Sequence, residues 1–389
     1  MKRIACGLTA NVDAAGHWNE GLSEQIAGLC KRNSEAAVPP KPFLHHWDEV
    51  AGAIRWHERE GSGGEYIVAD ERIMTALAEM SDWKWAVGGT GLQAAAAACR
   101  AGFGALVNIP SWSNDYNFLL DHNEMELAVK RRGAVPIHYI VEYDNGSASN
   151  RVILRGMKEF EGGVFAPGFI EALENANGPY RWLLLSGYNA ADSSSETMEL
   201  LEETKRALTH LGANRPPTHL ELAAISSNSD QLRIIRELGP LVQSLGLNED
   251  EIRELYGLER PLLERDDDEL IDLLIKARHR FGVEHLIVHT HQFAACISAQ
   301  GLAGWEEALR NGARFAAARA ASGRFCSMDE IERWEKELPM HPRGIRLASY
   351  AERLETAAVV PALKAEAVST VGLGDTFTSG LLLAAPRLT

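Results

Sequence analysis

Short apolar runs that end in polar or small residues alternate along the chain with longer stretches whose apolar residues recur at helical spacing. Ile4-Ala5-Cys6-Gly7-Leu8, Ala105-Leu106-Val107-Asn108-Ile109 and Trp182-Leu183-Leu184-Leu185 read as strands buried on both faces, as do the apolar stretches at 218–223, 241–247 and 284–289. Helices are predicted at 94–99, 196–211, 231–238, 266–281, 305–321 and 328–338. Repeated strand–helix units of this kind predict an α/β fold with a mostly parallel central sheet flanked by helices.

Two stretches break the rhythm. Positions 18–80 carry a helical pattern, interrupted at Gly61-Ser62-Gly63-Gly64-Glu65, which reads as an inter-helix turn. Positions 136–155 alternate apolar and polar residues around Asp144-Asn145-Gly146, the signature of a β-hairpin. Neither belongs to a doubly wound chain, so both are assigned to a smaller inserted α/β lid domain. The expected boundaries give 1–13, 81–110 and 166–389 to the large domain, and 14–80 and 111–165 to the lid.

Composition narrows the partners. With 46% hydrophobic and 24% charged residues in 389, the chain can bury a large core and lacks the signature of disorder. A net charge of -15 without a concentrated basic patch argues against nucleic acid and against an anionic membrane surface. Five scattered cysteines form no C-x-x-C pair, and the apolar part of the N-terminus is too short for a signal peptide. A cytoplasmic protein is expected. The sequence does not fix its oligomeric state.

Candidate chemistry concentrates in two glycine turns. Val371-Gly372-Leu373-Gly374-Asp375-Thr376-Phe377-Thr378-Ser379-Gly380 reads as a loop entering a helix, with free N–H groups converging on an anion. Asp375 in the first helical turn then takes a proton from a hydroxyl beside a bound phosphate; an ordinary capped helix is the competing reading. Gly88-Gly89-Thr90-Gly91 repeats this layout ahead of an alanine-rich helix and faces a substrate hydroxyl in the same way. Asn11 and Asp13 follow the first strand, either as ligands of a polyhydroxylated substrate or as a turn held by local hydrogen bonds. His289-Thr290-His291 offers a different chemistry, a zinc hydrolase with His219 or His138 as third ligand.

With these pieces in order, the chain resembles the ADP-dependent glucokinase and phosphofructokinase family of the ribokinase superfamily. The resemblance rests on Asn11-Val12-Asp13, Gly63-Gly64-Glu65, Gly88-Gly89-Thr90-Gly91, the segment from Ile137 to Tyr143, His219-Leu220-Glu221, Asn248-Glu249-Asp250-Glu251 and Gly372-Leu373-Gly374-Asp375. It implies a ribokinase-like large domain, a lid that closes over a sugar, and Mg2+ as cofactor. By the same resemblance Asp375 is the catalytic base, and Gly372 and Gly374 frame the anion hole. Glu221, Glu251 and Asn248 organise the hydrated metal, with His219 assisting. Asn11, Asp13, Gly88 and Gly89 hold the sugar, and His289, Thr290 and Leu373 lie at the nucleotide. Arg151 or Arg155 receives a sugar phosphate if the acceptor is phosphorylated. The resemblance favours ADP as donor, whereas the continuation Thr376-Phe377-Thr378-Ser379-Gly380 is closer to ATP-using relatives, so ADP or ATP stays open, as does sugar against sugar phosphate. A catalytically silent sugar-binding protein is the third reading.

Overall fold

The computed structural model describes residues 3–31, 39–80, 83–120, 124–146, 149–157, 160, 163–175, 180–223 and 227–387. Strands follow in the order β1 (Arg3–Leu8), β2 (Asn11–His17), β3 (Phe43–Leu44), β4 (Gly64–Val68), β5 (Lys84–Gly88), β6 (Gly104–Trp112), β7 (Met125–Arg132), β8 (Ile137–Asp144), β9 (Ser149–Arg155), β10 (Tyr180–Ser186), β11 (Thr218–Glu221), β12 (Ser244–Asn248), β13 (His285–His289), β14 (Phe293–Ser298) and β15 (Ala357–Pro361). They form two sheets.

The larger sheet runs β15-β14-β13-β12-β11-β10-β1-β6-β7. Its pairings are parallel from β13 through β7, and only β14 and β15 add antiparallel edges. The two-sided apolar character of β1, β10 and β12 follows from this placement, because helices cover both faces. One face buries Phe169, Leu200, Ile234, Ile252, Leu270 and Leu347, one from each of six helices. The other buries the helices Thr90–Arg100, Trp305–Ser322, Met328–Glu337 and Leu373–Ala384. Residues 94–98 are all buried alanines, and the Ser379 hydroxyl donates to Ala94 O at 2.7 Å, a spacing that larger side chains would not allow.

The smaller sheet runs β3-β4-β9-β8-β2-β5. Helices Glu20–Leu29, Trp47–Glu60 and Glu71–Glu79 cover one face through Leu22, Ile26, Val50, Ile54, Ile73 and Leu77. Strand alternation turns Tyr66, Tyr139, Val141, Val152 and Leu154 into that core. Their neighbours Glu65, His138, Ile140, Arg151 and Ile153 point the other way, toward a cavity.

Several expectations change here. The helical pattern over 18–80 contains two strands, β3 and β4, and its positions 32–38 lie outside the described residues. Gly61 closes a helix in a left-handed conformation, and Gly64 opens β4 rather than a second helix. β4 is short and gains its partners β9 and β3 only in the folded chain, so local periodicity does not reveal it. Asn11 to Asp13 belong to β2, not to a turn. Strand pairing also crosses the expected domain boundaries. β5, expected in the large domain, pairs with β2 in the smaller sheet, and β7, expected in the lid, pairs with β6 in the larger one. The boundary expected at 81 falls outside the described residues. We propose that the two sheets are the bodies of the large and lid domains, joined through Thr9 and Ala10 between β1 and β2. No helix among the described residues is long and apolar enough to cross a membrane.

Candidate active site

The cavity between the sheets is built at the carboxyl ends of β1 and β10, where ligands of open α/β sheets collect. Two helices start at its floor. Gly89 (φ 79) precedes Thr90–Arg100, and Gly372 (φ 72) precedes Leu373–Ala384. A Cβ on Gly372 would meet Gln93 Oε1 at 1.8 Å, so the two helix starts touch only because glycine stands there. The first-turn N–H groups of Leu373–Ala384 have no intrahelical acceptors, and Val371, Gly372 and Asp375 at that helix start line the cavity.

Asp375 accepts a hydrogen bond from the Thr90 side chain, which ties the second helix to the first. Its carboxyl is held up at about 6, first by burial and then by the charge of Glu221, with Thr90, Arg151 and His289 pulling the other way. Asp13 reaches about 7, again first by burial. Its Oδ1 accepts from Asn11 Nδ2 at 2.7 Å and its Oδ2 from Gln93 Nε2 at 3.2 Å. That arrangement leaves Asn11 Oδ1 and Gln93 Oε1 buried without partners beside the cavity. Buried acceptors in that state call for donors from a ligand.

Of the expected sugar residues, Asn11, Asp13, Gly89 and Arg151 line the cavity. Gly88 stands behind it and makes room, since a Cβ there would lie 2.1 Å from Asp13 Oδ1 and 2.2 Å from Asn11 Nδ2. Arg151 donates to Thr370 Oγ1 at 2.9 Å, just ahead of the glycine loop. Arg155 is already engaged by Glu65, Asp192 and the carbonyls of Asn189 and Ala191, and is only 2% exposed, so a sugar phosphate finds no free guanidinium there.

The expected metal residues gather at the ends of β11 and β12. Glu221 accepts from His289 Nε2 at 2.9 Å and His219 Nε2 at 2.8 Å, and from the Thr378 hydroxyl at 3.1 Å. Burial alone would raise its pKa, but the two histidines outweigh it and keep the carboxylate ionised well below the usual range. His219 bonds Ser244 through its other nitrogen, so both ring positions are taken and it orients Glu221 rather than ligating a metal. Asn248 and Glu251 form a capping box on the helix Glu249–Tyr256, which explains their spacing locally. Burial, then the charge of Glu221, pushes the Glu251 carboxyl well up. Carboxylates this close, with only histidines as cationic neighbours of Glu221, form an oxygen-rich set that fits a hard divalent cation bound partly through water.

His289 also packs its ring 4.9 Å from Phe377, and Gly374 leaves it space at the helix start. Leu373 is the first residue of that helix. The Thr290 hydroxyl is spent inside the β13–β14 turn, donating to Phe293 O and accepting from two backbone N–H groups. His291 turns to Glu249 instead of sharing a point with His289. Among the described residues no group of three His, Cys, Asp or Glu side chains is placed to hold a metal ion directly, so His289 and His291 do not form the zinc site of the hydrolase reading, and a divalent cation beside Glu221 and Glu251 would be held largely through water. Glu65 and Thr90, which the sequence placed in motifs without a site role, line the cavity, as do Gln93 and Asn189, to which it gave none. Thr90 and Gln93 stand at i and i+3 in a glycine-led helix, a spacing that sets both on one side.

A nine-stranded, mostly parallel sheet, a second sheet across the cavity and a carboxylate at a glycine-led helix start define a carbohydrate kinase. Residues 2–384 match the conserved region described as ADP-specific phosphofructokinase/glucokinase. The chain belongs to that family of ADP-dependent kinases. It is 25% identical to the ADP-dependent glucose/glucosamine kinase of Pyrococcus furiosus, over 98% of this chain and 94% of the relative. It is 29% identical to the ADP-specific phosphofructokinase of Thermococcus kodakarensis over 51% of this chain and 48% of that one. Among solved structures, an ADP-dependent kinase in complex with fructose-6-phosphate and ADPβS superposes with a TM-score of 0.78 at 17% identity, over 100% of this chain and 94% of that one. A hypothetical ADP-dependent phosphofructokinase from Pyrococcus horikoshii gives 0.74 at 19% identity, over 98% and 97%.

Proposed function

We propose that the protein transfers the terminal phosphoryl group of ADP to a hydroxyl of an unphosphorylated sugar, with Asp375 as general base. The observation that carries this reading is the placement of Asp375 beside unpaired first-turn N–H groups in a cavity that also holds the unsatisfied acceptors of Asn11 and Gln93. Sugar hydroxyls donate to those acceptors. Asp375 takes the proton of the attacking hydroxyl, the sugar oxygen bonds to the β-phosphorus, and AMP leaves. The N–H groups after Gly372 stabilise the equatorial oxygens as charge develops on them. Glu221 and Glu251, with Asn248 beside them, would hold magnesium, which would supply charge neutralisation at the donor phosphates.

The acceptor is read as unphosphorylated from the balance of charge. Among the described residues the cavity wall carries one arginine, Arg151, beside Asp375 and a partly protonated Asp13, while Glu65 on the same wall is neutralised by Arg155. A sugar phosphate would find a single guanidinium there, already bonded to Thr370, beside the Asp375 carboxylate, whereas a neutral or amino sugar needs no such cation. The experiment is thermal stabilisation and turnover with ADP and ATP, each with and without magnesium, across glucose, glucosamine, fructose and fructose-6-phosphate. Turnover with ADP, magnesium and a free sugar is expected. Phosphorylation of fructose-6-phosphate alone would overturn the acceptor assignment, and equal rates with ATP would overturn the donor assignment.

A further inference from the structure

A second cavity lies at the opposite edge of the larger sheet, where β11, β12 and β13 begin. Its volume, about 610 Å³, falls in the range of small-molecule sites. Arg215, Gln243 and His285 stand at the starts of these strands, Trp305 opens the helix Trp305–Ser322, and Arg387 follows the helix Leu373–Ala384. None of these residues takes part in the chemistry above.

His285 is 2% exposed, and neither of its ring nitrogens has a hydrogen-bond partner. Glu284 Oε1 comes within 3.3 Å of Nε2 but without the alignment of a hydrogen bond. The imidazole lies 4.7 Å from the Trp305 ring, which fixes its plane. Arg215 and Arg387 pair with no carboxylate among the described residues. A third guanidinium stands close by: Arg181 donates to Ala385 O at 2.6 Å, leaves its buried Nε unpartnered and feels the charge of Arg387. Glu284 is the one carboxylate on the wall among the described residues.

We propose that this cavity binds a small phosphate-bearing molecule, with Arg215 and Arg387 taking the phosphate oxygens and His285 donating a ring N–H. Guanidinium groups from separate segments suit a tetrahedral oxyanion with several acceptor oxygens, and the imidazole supplies a further donor from within the wall. The cavity's volume of about 610 Å³ exceeds what inorganic phosphate fills and leaves room for an ester group.

The test follows the Cε1–H resonance of His285 in the full chain by NMR, assigned with His285→Gln, during titrations with inorganic phosphate, glycerol phosphate and succinate at matched ionic strength. A saturable shift with either phosphate and none with succinate is expected. Tighter binding of glycerol phosphate identifies an ester as the ligand; tighter binding of inorganic phosphate identifies the free ion. In Arg215→Gln and Arg387→Gln the midpoint should weaken by roughly tenfold or more. Arg387 is exposed, so its replacement keeps the test decisive even if Arg215→Gln unfolds. An unmoved His285 resonance, an equal response to succinate, or an unchanged midpoint in a folded arginine variant would overturn the proposal.

Discussion

Asp375 and Asp13 face one cavity and are both held above the ordinary aspartate range, at about 6 and about 7, first by burial in each case. Because the folded state holds these protons more tightly than the unfolded chain, the resulting stability is complete below about pH 4 and is lost as pH rises through 6 and 7. The unliganded protein should therefore melt lower at about pH 8 than at about pH 5. Asp13→Asn should remove part of that decline, gaining on the order of a few kcal/mol at about pH 8 and little at about pH 5. The Gln93 amide can turn to present its unpartnered Oε1 to the new side chain. A variant that melts below the parent at the higher pH would show that the buried charge is not what limits stability. Asp375→Asn should cut turnover by ~10²–10⁴-fold while sugar binding stays close to that of the parent. In the parent, turnover should fall as pH drops through about 6, when the base is protonated. Undiminished turnover in the variant would remove Asp375 from the base role. Both aspartates were legible in the sequence from their position beside glycine turns and at a strand end. Their mutual proximity and raised pKa values were not, because burial is a property of the folded surroundings.

At the scale of elements, the helix Leu373–Ala384 depends on a close crossing with Trp305–Ser322. A Cβ on Gly380 would lie 2.7 Å from Asn311 O and 2.8 Å from Phe315 Cγ, and one on Gly312 would meet Phe377 at 2.8 Å. Neither glycine has a left-handed φ, so the requirement is space and not conformation. Gly380→Ala should push the helices apart, destabilise the fold by ~1–3 kcal/mol and lower kcat, because the same helix carries Asp375. Melting and steady-state kinetics together check this; a variant as stable and active as the parent would mean the crossing is not tight. The strands with apolar residues on both faces were legible element by element, since burial from two sides writes a continuous apolar run. β14 and β15 received no assignment, although they close the sheet edge. A short run such as Phe293-Ala294-Ala295-Cys296-Ile297 suits strand or helix equally until its antiparallel partners are in place.

For the whole molecule, the smaller sheet is held against the larger body by apolar packing of Val12 and Val87 and by a set of polar contacts. Arg155 of β9 bonds Glu65 at 3.1 Å in its own sheet and Asp192 at 2.8 Å beyond β10, while Arg151 reaches Thr370 and Ser369 reaches Glu142. Arg155→Met removes the guanidinium that joins Glu65 to Asp192. It should cost ~3 kcal/mol of stability and raise KM for the sugar more than it lowers kcat, since the cavity wall shifts while the base stays in place. A change in kcat alone would place Arg155 in the chemistry instead. By itself the sequence determined the strand–helix rhythm, the glycine-led helix starts and the carboxylate in the first turn, because these are written in local spacing and in residues with distinctive backbone preferences. Only the tertiary structure decided that Asn11 and Asp13 belong to a strand of the second sheet, that β5 pairs within the smaller sheet and β7 within the larger one, and that Arg155 is spent on a contact between the sheets. Each of those facts depends on pairings between residues far apart in the chain, whose energy exists only once both partners are folded together.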